Sequence, residues 1–474
     1  MRKTKIVCTL GPASDSKEGI KALIDAGMNV ARLNFSHGTH ESHQKTIDVF
    51  KAVRSETEQP VALMLDTKGP EIRIGVFRDD AHITLCPGDR FTLTTREIEG
   101  DKTAVSVSYA DLPRQLSPGK AVLIDDGHIR LTVLETTETD LLCEVEEGGE
   151  ISSRKGVNIP YVHLDMPYLS ERDKADLLFG IKNDVDFVAA SFVRSKEDVI
   201  ALRKFLDYHD GHAIKIISKI ENIEGVNNFD EILERSDGIM VARGDMGVEV
   251  AFERLPGIQK KFIRRCYQSG KMVITATQML ESMIHSATPT RAEITDVANA
   301  VFDGTSAVML SGETAMGDHP SLVVKVMSKI VCQAESDYFD MDMAVGTAHD
   351  IDIRDKTNAI CDAACTTARD LHAKAIIAVT KSGETARRVS KFRPHEAIVA
   401  ATPEVKTFHQ LALSWGVYPV LALMQESEEK LFIHAVDCAK QLDIVSRGDT
   451  VVITAGIPLN MPGTTNLLKV ETLS

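Results

Sequence analysis

Short apolar runs alternate with amphipathic stretches at the start of the chain. The first three runs lie at residues 5–10, 29–33 and 61–65, and helical patterns cover 17–26 and 41–54 between them. Apolar runs of this length, bounded by Gly and Pro, are typical of buried strands in a parallel sheet. We therefore predict three β-strands separated by helices.

The pattern changes between residues 71 and 168. Stretches such as 90–94 and 141–145 alternate between apolar and polar residues, turn signals such as Pro87-Gly88-Asp89 separate them, and no helical pattern is visible. Alternation with a period of two is typical of half-buried strands. We therefore expect an inserted all-β domain here.

The first pattern then resumes with five more apolar runs. They lie at residues 186–192, 214–220, 238–242, 272–277 and 307–311, with helical patterns between them. Three strands before the insertion and five after it make the eight βα units of a (β/α)8 TIM barrel, which we predict as the fold. The alternative is an open doubly wound sheet, but no GxGxxG motif follows the first strand.

A linker and a second α/β region complete the chain. Residues 338–355 are acidic and lack apolar periodicity, so they are predicted to be a linker. From residue 356 onward, helical patterns alternate with apolar runs. One of the predicted helices covers 404–414, and an edge strand is expected at 467–470. The predicted domains are a (β/α)8 barrel at 1–70 and 169–342, an inserted β domain at 71–168 and a C-terminal α/β domain at 343–474.

The composition narrows the class of protein. The 474 residues include 54 Lys+Arg and 69 Asp+Glu, which gives a net charge of −15 and argues against a broad nucleic-acid-binding surface. We find no apolar segment of the roughly 18 residues that a membrane span requires, and no signal peptide. The eight cysteines are scattered without a CxxC motif, as expected for reduced thiols. We therefore expect a cytoplasmic protein that binds neither nucleic acid nor membrane.

Polar residues follow six of the eight predicted barrel strands. In this fold, ligands bind where the strands end. The polar stretches lie at residues 32–37, 66–73, 219–222, 243–245, 277–278 and 311–314. Taken alone, a residue such as Thr277, Ser311 or Glu313 is more often an ordinary loop residue or helix cap. The convergence of six strand ends on one rim favours a functional site.

The residue types at this rim indicate a chemistry. Lys219 and Glu221 lie two apart on one strand and therefore point the same way, while Asp245 follows the adjacent strand. Two converging carboxylates without Cys or His suit Mg²⁺ better than zinc. Arg32 and Arg73 would face the same opening. A metal ion together with Arg and Lys side chains supplies the positive charge that stabilises a phosphoryl group during transfer.

The C-terminal domain has a signal of its own. A strand at 375–379 runs into Thr380-Lys381-Ser382-Gly383-Glu384-Thr385 and then into a helix. Hydroxyls, a Gly and a helix amino terminus can cradle a phosphate, although ordinary capping of the helix by Ser382 is the alternative. The loop at 456–466 either folds over that cradle or forms a plain hairpin.

Taken together, these segments resemble the pyruvate kinase family. The order of KIEN, ARGD, ITATQML and MLSGET is highly specific, and the resemblance spans essentially the whole chain. The matching stretches are KTKIVCTLGPAS (3–14), ARLNFSHG (31–38), LDTKGPEIR (65–73), KGVNIP (155–160), ISKIENIEG (217–225), DGIMVARGDMGVE (237–249), ITATQMLESM (274–283), PTRAEITDVANAVFDGTSAVMLSGETA (289–315) and SGETAR (382–387). The chain resembles bacterial members with a single regulatory C-terminal domain, and Tyr161 stands where a Gly is common.

The resemblance implies transfer of the phosphoryl group of phosphoenolpyruvate to ADP, giving pyruvate and ATP in the last step of glycolysis, with the inserted β domain closing as a lid. It implies catalytic and substrate contacts from Arg32, Arg73, Lys219, Gly244, Asp245, Thr277, Ser311 and Glu313. It implies nucleotide contacts from Asn34, Phe35, Ser36, His37, Arg73 and Lys155.

The resemblance also implies cofactors, partners and regulation. Mg²⁺, or Mn²⁺, would be held by Glu221 and Asp245, and Glu71 matches the residue that is associated with K⁺ dependence. The chain would be an allosteric homotetramer whose phosphorylated effector could be fructose 1,6-bisphosphate, ribose 5-phosphate or AMP. The implied K⁺ ligands are Asn34, Ser36, Asp66 and Thr67, and the implied effector contacts are Thr380, Lys381, Ser382, Gly383 and Thr385.

Two other functions compete with this interpretation. A Mg²⁺-dependent barrel lyase acting on an enolate would also use Glu and Asp at strand ends, but it would need no lid and no ADP. A sugar-phosphate sensor with an inactive barrel is the non-enzyme alternative, and the intact set Lys219, Glu221 and Asp245 argues against it.

Overall fold

The computed structural model describes residues 1–341, 355–425, 427–457 and 465–474. The first βα units form where the apolar runs predict them, and their three strands are almost completely buried because helices cover them. The elements are β1 (Lys5–Thr9), α1 (Lys17–Ala26), β2 (Val30–Asn34), α2 (His40–Thr57) and β3 (Ala62–Asp66).

The inserted segment folds into a β domain with its own apolar core, which is built from residues such as Phe77, Phe91 and Leu131. Its strands form a seven-stranded sheet in the order β4-β12-β8-β9-β10-β6-β7 and a two-stranded sheet, β11-β5. The strands are β4 (Ile72–Arg73), β5 (Ile83–Leu85), β6 (Arg90–Thr94), β7 (Ala104–Ser106), β8 (Ala121–Ile124), β9 (Ile129–Thr136), β10 (Asp140–Glu147), β11 (Gly149–Ile151) and β12 (Gly156–Asn158). A one-turn helix, α3 (Leu112–Gln115), and a 3₁₀ turn at Arg78–Asp80 were not predicted, since elements this short carry no periodic signal.

The remaining five barrel strands follow with their helices. The strands are β13 (Phe187–Ala190), β14 (Lys215–Ile220), β15 (Gly238–Ala242), β16 (Met272–Ala276) and β17 (Ala307–Leu310). The helices are α4 (Glu171–Lys182), α5 (Lys196–Tyr208), α6 (Ile223–Asn227), α7 (Phe229–Arg235), α8 (Arg243–Glu249), α9 (Leu255–Gln268), α10 (Arg291–Phe302), α11 (Gly312–Ala315) and α12 (Pro320–Asp340), with 3₁₀ turns at Phe252–Arg254 and Glu281–Ile284.

The eight strands close into a parallel barrel in the order β1-β17-β16-β15-β14-β13-β3-β2. Closure comes from the pairing of β1 with both β2 and β17. The predicted (β/α)8 barrel is therefore confirmed, and the open doubly wound sheet is excluded. The strand ends that carry the predicted site meet at one end of this barrel, here called the barrel mouth.

The C-terminal domain is a five-stranded sheet in the order β20-β19-β18-β21-β22, with β22 antiparallel at one edge. The predicted edge strand is confirmed, whereas the helix predicted at 404–414 ends at Gln410 and continues as a 3₁₀ turn, Leu411–Leu413. The elements are α13 (Lys356–Asp370), β18 (Ala375–Val379), α14 (Glu384–Ser390), β19 (Ala397–Thr402), α15 (Val405–Gln410), β20 (Val417–Leu421), α16 (Glu428–Gln441), β21 (Thr450–Gly456) and β22 (Thr465–Thr472).

The C-terminal domain packs against the end of the barrel opposite the mouth. Ala412 and Leu413 join the apolar cluster that fills the barrel interior, and Lys5 in β1 donates a hydrogen bond to the carbonyl of Val417 at 2.6 Å. Most of the predicted linker at 338–355 and most of the loop predicted at 456–466 lie outside the described residues.

Candidate active site at the barrel mouth

Lys219 lies at the centre of the barrel mouth, near the end of β14. Its three ammonium N–H groups have three acceptors: Asp66 Oδ1 at 3.0 Å, Ser191 Oγ at 2.7 Å and Glu221 Oε1 at 2.8 Å. The spacing of two along the strand does place Lys219 and Glu221 on one face, as predicted. Although burial opposes the charge, the carboxylates of Asp66 and Glu221 raise the pKa of Lys219, so the side chain stays protonated.

Asp66, at the end of β3, is a fully buried carboxylate that joins two of the predicted cations. Its Oδ2 accepts from Arg32 Nε at 2.6 Å, while Oδ1 accepts from Lys219. Arg32 also donates to the hydroxyl of Thr9 at 2.9 Å. Burial alone would raise the pKa of Asp66, but the charges of Arg32 and Lys219 lower it. Asp66 therefore fixes the two cations side by side.

Glu221 and Asp245 are the two predicted metal ligands. Glu221 is buried, and its Oε2 accepts from the backbone N–H of Phe192 at 2.6 Å. Burial raises the pKa of Glu221 to about 7, the charge of Lys219 opposes this shift and the charge of Asp245 adds to it. Asp245 lies in the first turn of α8 and lines the cleft between the barrel and the inserted domain.

Thr277 and Gly244 are joined at the ends of neighbouring strands. The backbone N–H of Gly244 donates to Thr277 Oγ1 at 2.8 Å, and Thr277 Oγ1 donates to the carbonyl of Ala276 at 2.6 Å. Thr277 has a φ of +67°, which is rare for a β-branched residue. Such backbone strain persists where surrounding contacts enforce it, and it is frequent at functional sites.

Ser311 and Glu313 lie together after the last strand, β17. The carboxylate of Glu313 accepts from the backbone N–H of Ser311 at 2.7 Å and from that of Leu280 at 3.2 Å. Burial raises the pKa of Glu313 above its usual range. The backbone donors oppose this shift because they favour the charged form, and a carboxyl group whose pKa is raised is suited to proton transfer.

The stretch after β2 forms a turn rather than a longer strand. Asn34 Oδ1 accepts from the backbone N–H of Ser36 at 3.1 Å, so the two side chains are arranged by a turn and not by strand alternation. The ring of Phe35 is buried and stacks on His43 with centroids 4.1 Å apart. His37 is exposed at the rim.

The two predicted lid cations have partners of their own. Arg73 pairs with Glu71 through two contacts of 2.8 Å and donates to the carbonyl of Arg154 at 2.7 Å. Lys155 pairs with Asp125 at 2.9 Å. Neither residue bonds to the Lys219 network in this structure.

The network contains one residue that sequence reasoning missed. Ser191 follows β13, the fourth barrel strand, and its buried hydroxyl accepts from Lys219. That hydroxyl also lies 2.6 Å from the carbonyl of Thr67 and 3.1 Å from Asp66 Oδ1, so it can donate to either. The available signal was its position near the end of the apolar run at residues 186–192, since the structure ends this strand at Ala190.

The C-terminal cradle opens into a large cavity of about 1330 Å³, counted out to its open mouth. Thr380 Oγ1 accepts from the backbone N–H of Gly383 at 3.0 Å, and Thr385 bonds to Thr465 at 2.7 Å. Gly383 has a φ of +81°, which explains the glycine in this turn. Lys381 and Ser382 line the same cavity. The five predicted effector residues therefore lie together in one turn.

Comparisons with known proteins agree with this architecture. The family model described as pyruvate kinase, barrel domain, matches residues 1–324, and the one described as pyruvate kinase, alpha/beta domain, matches residues 358–471. None of the helices in the described ranges is long and apolar enough to cross a membrane.

Individual relatives cover nearly the whole chain. The pyruvate kinase of Clostridium acetobutylicum is 48% identical over 99% of both chains, and that of Staphylococcus haemolyticus is 47% identical over 99% of this chain and 80% of its own length. The crystal structure of a pyruvate kinase from Cryptosporidium parvum superimposes with a TM-score of 0.93 and 41% identity, over 100% of this chain and 96% of that one. With both of its matched domains agreeing in fold and in sequence, this chain is a member of the pyruvate kinase family of phosphotransferases.

Proposed function

We propose that the residues at the barrel mouth transfer the phosphoryl group of phosphoenolpyruvate to ADP, giving pyruvate and ATP. The observation that carries this proposal is the ammonium group of Lys219, held within 3.0 Å of Asp66, Ser191 and Glu221 and coupled through Asp66 to Arg32. A phosphoryl group in transfer and an enolate leaving group both carry negative charge. Two cations fixed before the substrate arrives stabilise that charge without reorganisation.

Arg32 and Lys219 are proposed to hold the substrate phosphate. Lys219 would also stabilise the negative charge of the transferring phosphoryl group and of the developing enolate. Gly244 and Thr277, joined by their hydrogen bond, form the wall on which the carboxylate end of the substrate rests. Ser311 and Glu313 lie just after the neighbouring strand, β17, and the raised pKa of Glu313 suits a proton relay to the enolate carbon.

A divalent cation, Mg²⁺ or Mn²⁺, fits Glu221 and Asp245. The donors are oxygens only, Asp245 accepts no hydrogen bond from any described residue, and the charge of Asp245 raises the pKa of Glu221. When bound, the metal would supply positive charge to the phosphoryl and enolate oxygens.

A K⁺ site is proposed at Asn34, Ser36, Asp66 and Thr67, which offer amide, hydroxyl, carboxylate and carbonyl oxygens after two adjacent strands. Because the two oxygens of Asp66 already accept from Arg32 and Lys219, K⁺ would share the Asp66 carboxylate with these two side chains.

ADP is proposed to bind in the cleft between the barrel and the lid. Its phosphates would contact the turn after β2 through Asn34, Ser36 and His37 and through the backbone at Phe35. They would also contact two cations of the lid, Arg73 and Lys155. In this structure Arg73 pairs with Glu71 and Lys155 pairs with Asp125. As the lid closes, the nucleotide phosphates would replace these carboxylates as the partners of the two cations. The closed lid would exclude water, so that the phosphoryl group passes to ADP.

A phosphorylated effector is proposed to bind the C-terminal cavity, with its phosphate on the cradle at Thr380, Lys381, Ser382, Gly383 and Thr385. The opposite wall is apolar and includes Leu423, Met424 and Leu431. We further propose a homotetramer in the cytoplasm, as the family resemblance implies.

The test is pyruvate formation from phosphoenolpyruvate by Lys219→Met and by a matched control, Lys215→Met. Lys215 lies on the same strand at the opposite end of the barrel, paired with Asp237 at 2.9 Å. We expect Lys219→Met to lose at least about a thousandfold in kcat, Lys215→Met to keep its kcat, and the wild-type reaction to require both ADP and Mg²⁺. Pyruvate formation by the folded Lys219→Met variant at the wild-type rate, or turnover without ADP, would contradict the proposal.

A further inference from the structure

A second basic site lies between the two domains, at the end of the barrel opposite the mouth. A cleft of about 250 Å³, counted out to its opening, is bounded on the barrel side by residues just before β16 and β17 and on the other side by the C-terminal domain. We call it the interdomain cleft. Its lining residues are Tyr267, Gly270, Lys271, Met272, Ser306, Arg387, Ser390, Lys391, Arg393, Ser414 and Trp415.

The charge of the interdomain cleft is one-sided. Four lining residues are cations and none is a carboxylate, in a chain whose net charge is −15. Lys271 donates to two backbone carbonyls, those of Leu233 and Glu234. Arg387 donates to the carbonyl of Ser382 at 2.9 Å and reaches Glu384 only at 3.5 Å. The carboxylates of Glu234, Asp237 and Glu384 act on Lys271 from outside the lining. Within the lining the donors are satisfied by neutral carbonyls, which do not neutralise charge, so the cleft itself favours an anion.

Arg393 is the residue that points to a ligand. It is 5% exposed, and Nη2 donates across the domain boundary to the carbonyl of Gly304 at 2.7 Å. Nε and Nη1, with three N–H groups between them, have no acceptor among the described residues. The guanidinium carbon lies 4.5 Å from the ring centre of Trp415, which leaves the edge of the guanidinium for hydrogen bonding. Burial lowers the pKa of Arg393 to about 10.

Two further observations coincide at this place. Ser414 is 2% exposed, and its hydroxyl also lacks a partner among the described residues. Arg393 has a φ of +52°, which side chains other than glycine rarely adopt, so the backbone is held in a costly conformation that presents this arginine to the barrel. Buried donors without acceptors are costly, and a bound acceptor would relieve both residues.

We propose that the interdomain cleft binds a small tetrahedral oxyanion of the phosphate class, hydrogen-bonded by the Arg393 guanidinium and the Ser414 hydroxyl in the field of Lys271, Arg387 and Lys391. A guanidinium edge matches two phosphate oxygens, and a hydroxyl donates to a third. The anion would hold together the two domains that Arg393 already bridges. Arg387 bonds to the carbonyl of Ser382 in the effector cradle, so occupancy of the cleft is connected to that cradle through one side chain.

The experiment locates the anion and measures its affinity on the full-length chain. Crystals are soaked in arsenate, whose anomalous signal marks a phosphate site, and inorganic phosphate is titrated calorimetrically at constant ionic strength. We expect an arsenate peak between Arg393 and Ser414. Phosphate affinity should fall about tenfold or more in Arg393→Met and about threefold in Ser414→Ala.

Control variants separate this cleft from the other two places that bind phosphate groups. Lys219→Met alters the barrel mouth and Lys381→Ala alters the effector cavity, and the arsenate peak in the cleft should persist in both. Arsenate density confined to those other sites would overturn the proposal, as would unchanged phosphate affinity in both cleft variants. If Arg393→Met does not fold, the arsenate map and Ser414→Ala still decide the question.

A second arm distinguishes the source of the phosphate group. Ribose 5-phosphate, AMP and inorganic phosphate are each added to separate arsenate-soaked crystals. Loss of the cleft peak with either compound would identify a metabolite's phosphate group as the occupant. Loss with inorganic phosphate alone would identify the free ion.

Discussion

Ser191→Ala tests whether the arrangement around Lys219 is what makes the barrel mouth catalytic. The substitution removes one of the three acceptors of the Lys219 ammonium group, the hydroxyl at 2.7 Å, and leaves the two carboxylates. Without the neutral acceptor, the ammonium group is free to move toward Asp66 or Glu221 and away from the position that the transferring phosphoryl group needs. We therefore expect a lower kcat rather than a weaker affinity for phosphoenolpyruvate.

The magnitude follows from the charge on the donor. A hydrogen bond to a charged group contributes about 1.5–3 kcal/mol, which corresponds to about 10- to 160-fold in rate at 25 °C. Because two charged acceptors remain in place, we expect the lower part of this range, about 10- to 30-fold in kcat/KM. The assay couples pyruvate formation to NADH oxidation by lactate dehydrogenase, with ADP and Mg²⁺ at saturation.

Ser218→Ala is the matched control. Ser218 is equally buried and directly precedes Lys219 on β14, but it points away from the barrel mouth and bonds to Ser236 at 2.7 Å. It should lose stability without losing kcat/KM. A Ser191→Ala enzyme within twofold of wild type would refute the reasoning, because it would mean that Ser191 gives up its place on Lys219 when the substrate binds.

Three further predictions concern the cations and the domain boundary. Asp245→Asn should weaken Mn²⁺ binding about 10- to 100-fold, measured by electron paramagnetic resonance without substrates, and an unchanged affinity would remove Asp245 from the metal site. Glu71→Lys should raise activity in K⁺-free buffer about tenfold or more, because an ammonium group replaces the charge of the monovalent cation, whereas Glu71→Gln should not. Burial lowers the pKa of Lys5 to about 7 and that of Lys3 to about 8, so the unfolded chain binds more protons between these values and 10.5. The free energy of unfolding should therefore rise with pH from about 8 to 10, by up to about 1.4 kcal/mol per pH unit for each lysine. Urea titrations at a series of pH values measure this rise, and the rise should be smaller in Lys5→Met.

Much of the barrel could be predicted because its strands are buried on both faces. Such strands read as continuous apolar runs, and six of the eight end where a polar stretch begins. These runs and stretches were enough to place Lys219, Glu221 and Asp66 at one rim. The sequence did not identify Ser191 as a site residue, because it is a single small hydroxyl between Ala190 and Phe192. A lone serine does not stand out, yet a strand end in this fold is sufficient reason to consider it.

The pairing of charges could not be predicted. Arg73 and Glu71 are two residues apart, but Lys155 and Asp125 are brought together only by the antiparallel sheet of the lid. Backbone conformation was equally hidden at most positions. Tyr161 is the exception, since its φ of +60° gives the physical reason why a Gly is common there.

Asp66 connects the two halves of the proposed mechanism. One buried carboxylate holds Arg32 and Lys219, and the same residue belongs to the proposed K⁺ site with Asn34, Ser36 and Thr67. A third cation near Asp66 would compete with the two side chains for the same negative charge, and would therefore leave more of the positive charge of Arg32 and Lys219 directed at the substrate phosphate. K⁺ bound at the proposed site would therefore affect the substrate site through a shared carboxylate. Phosphoenolpyruvate should then bind less tightly in K⁺-free buffer even in the absence of ADP, a difference that equilibrium binding measures without turnover.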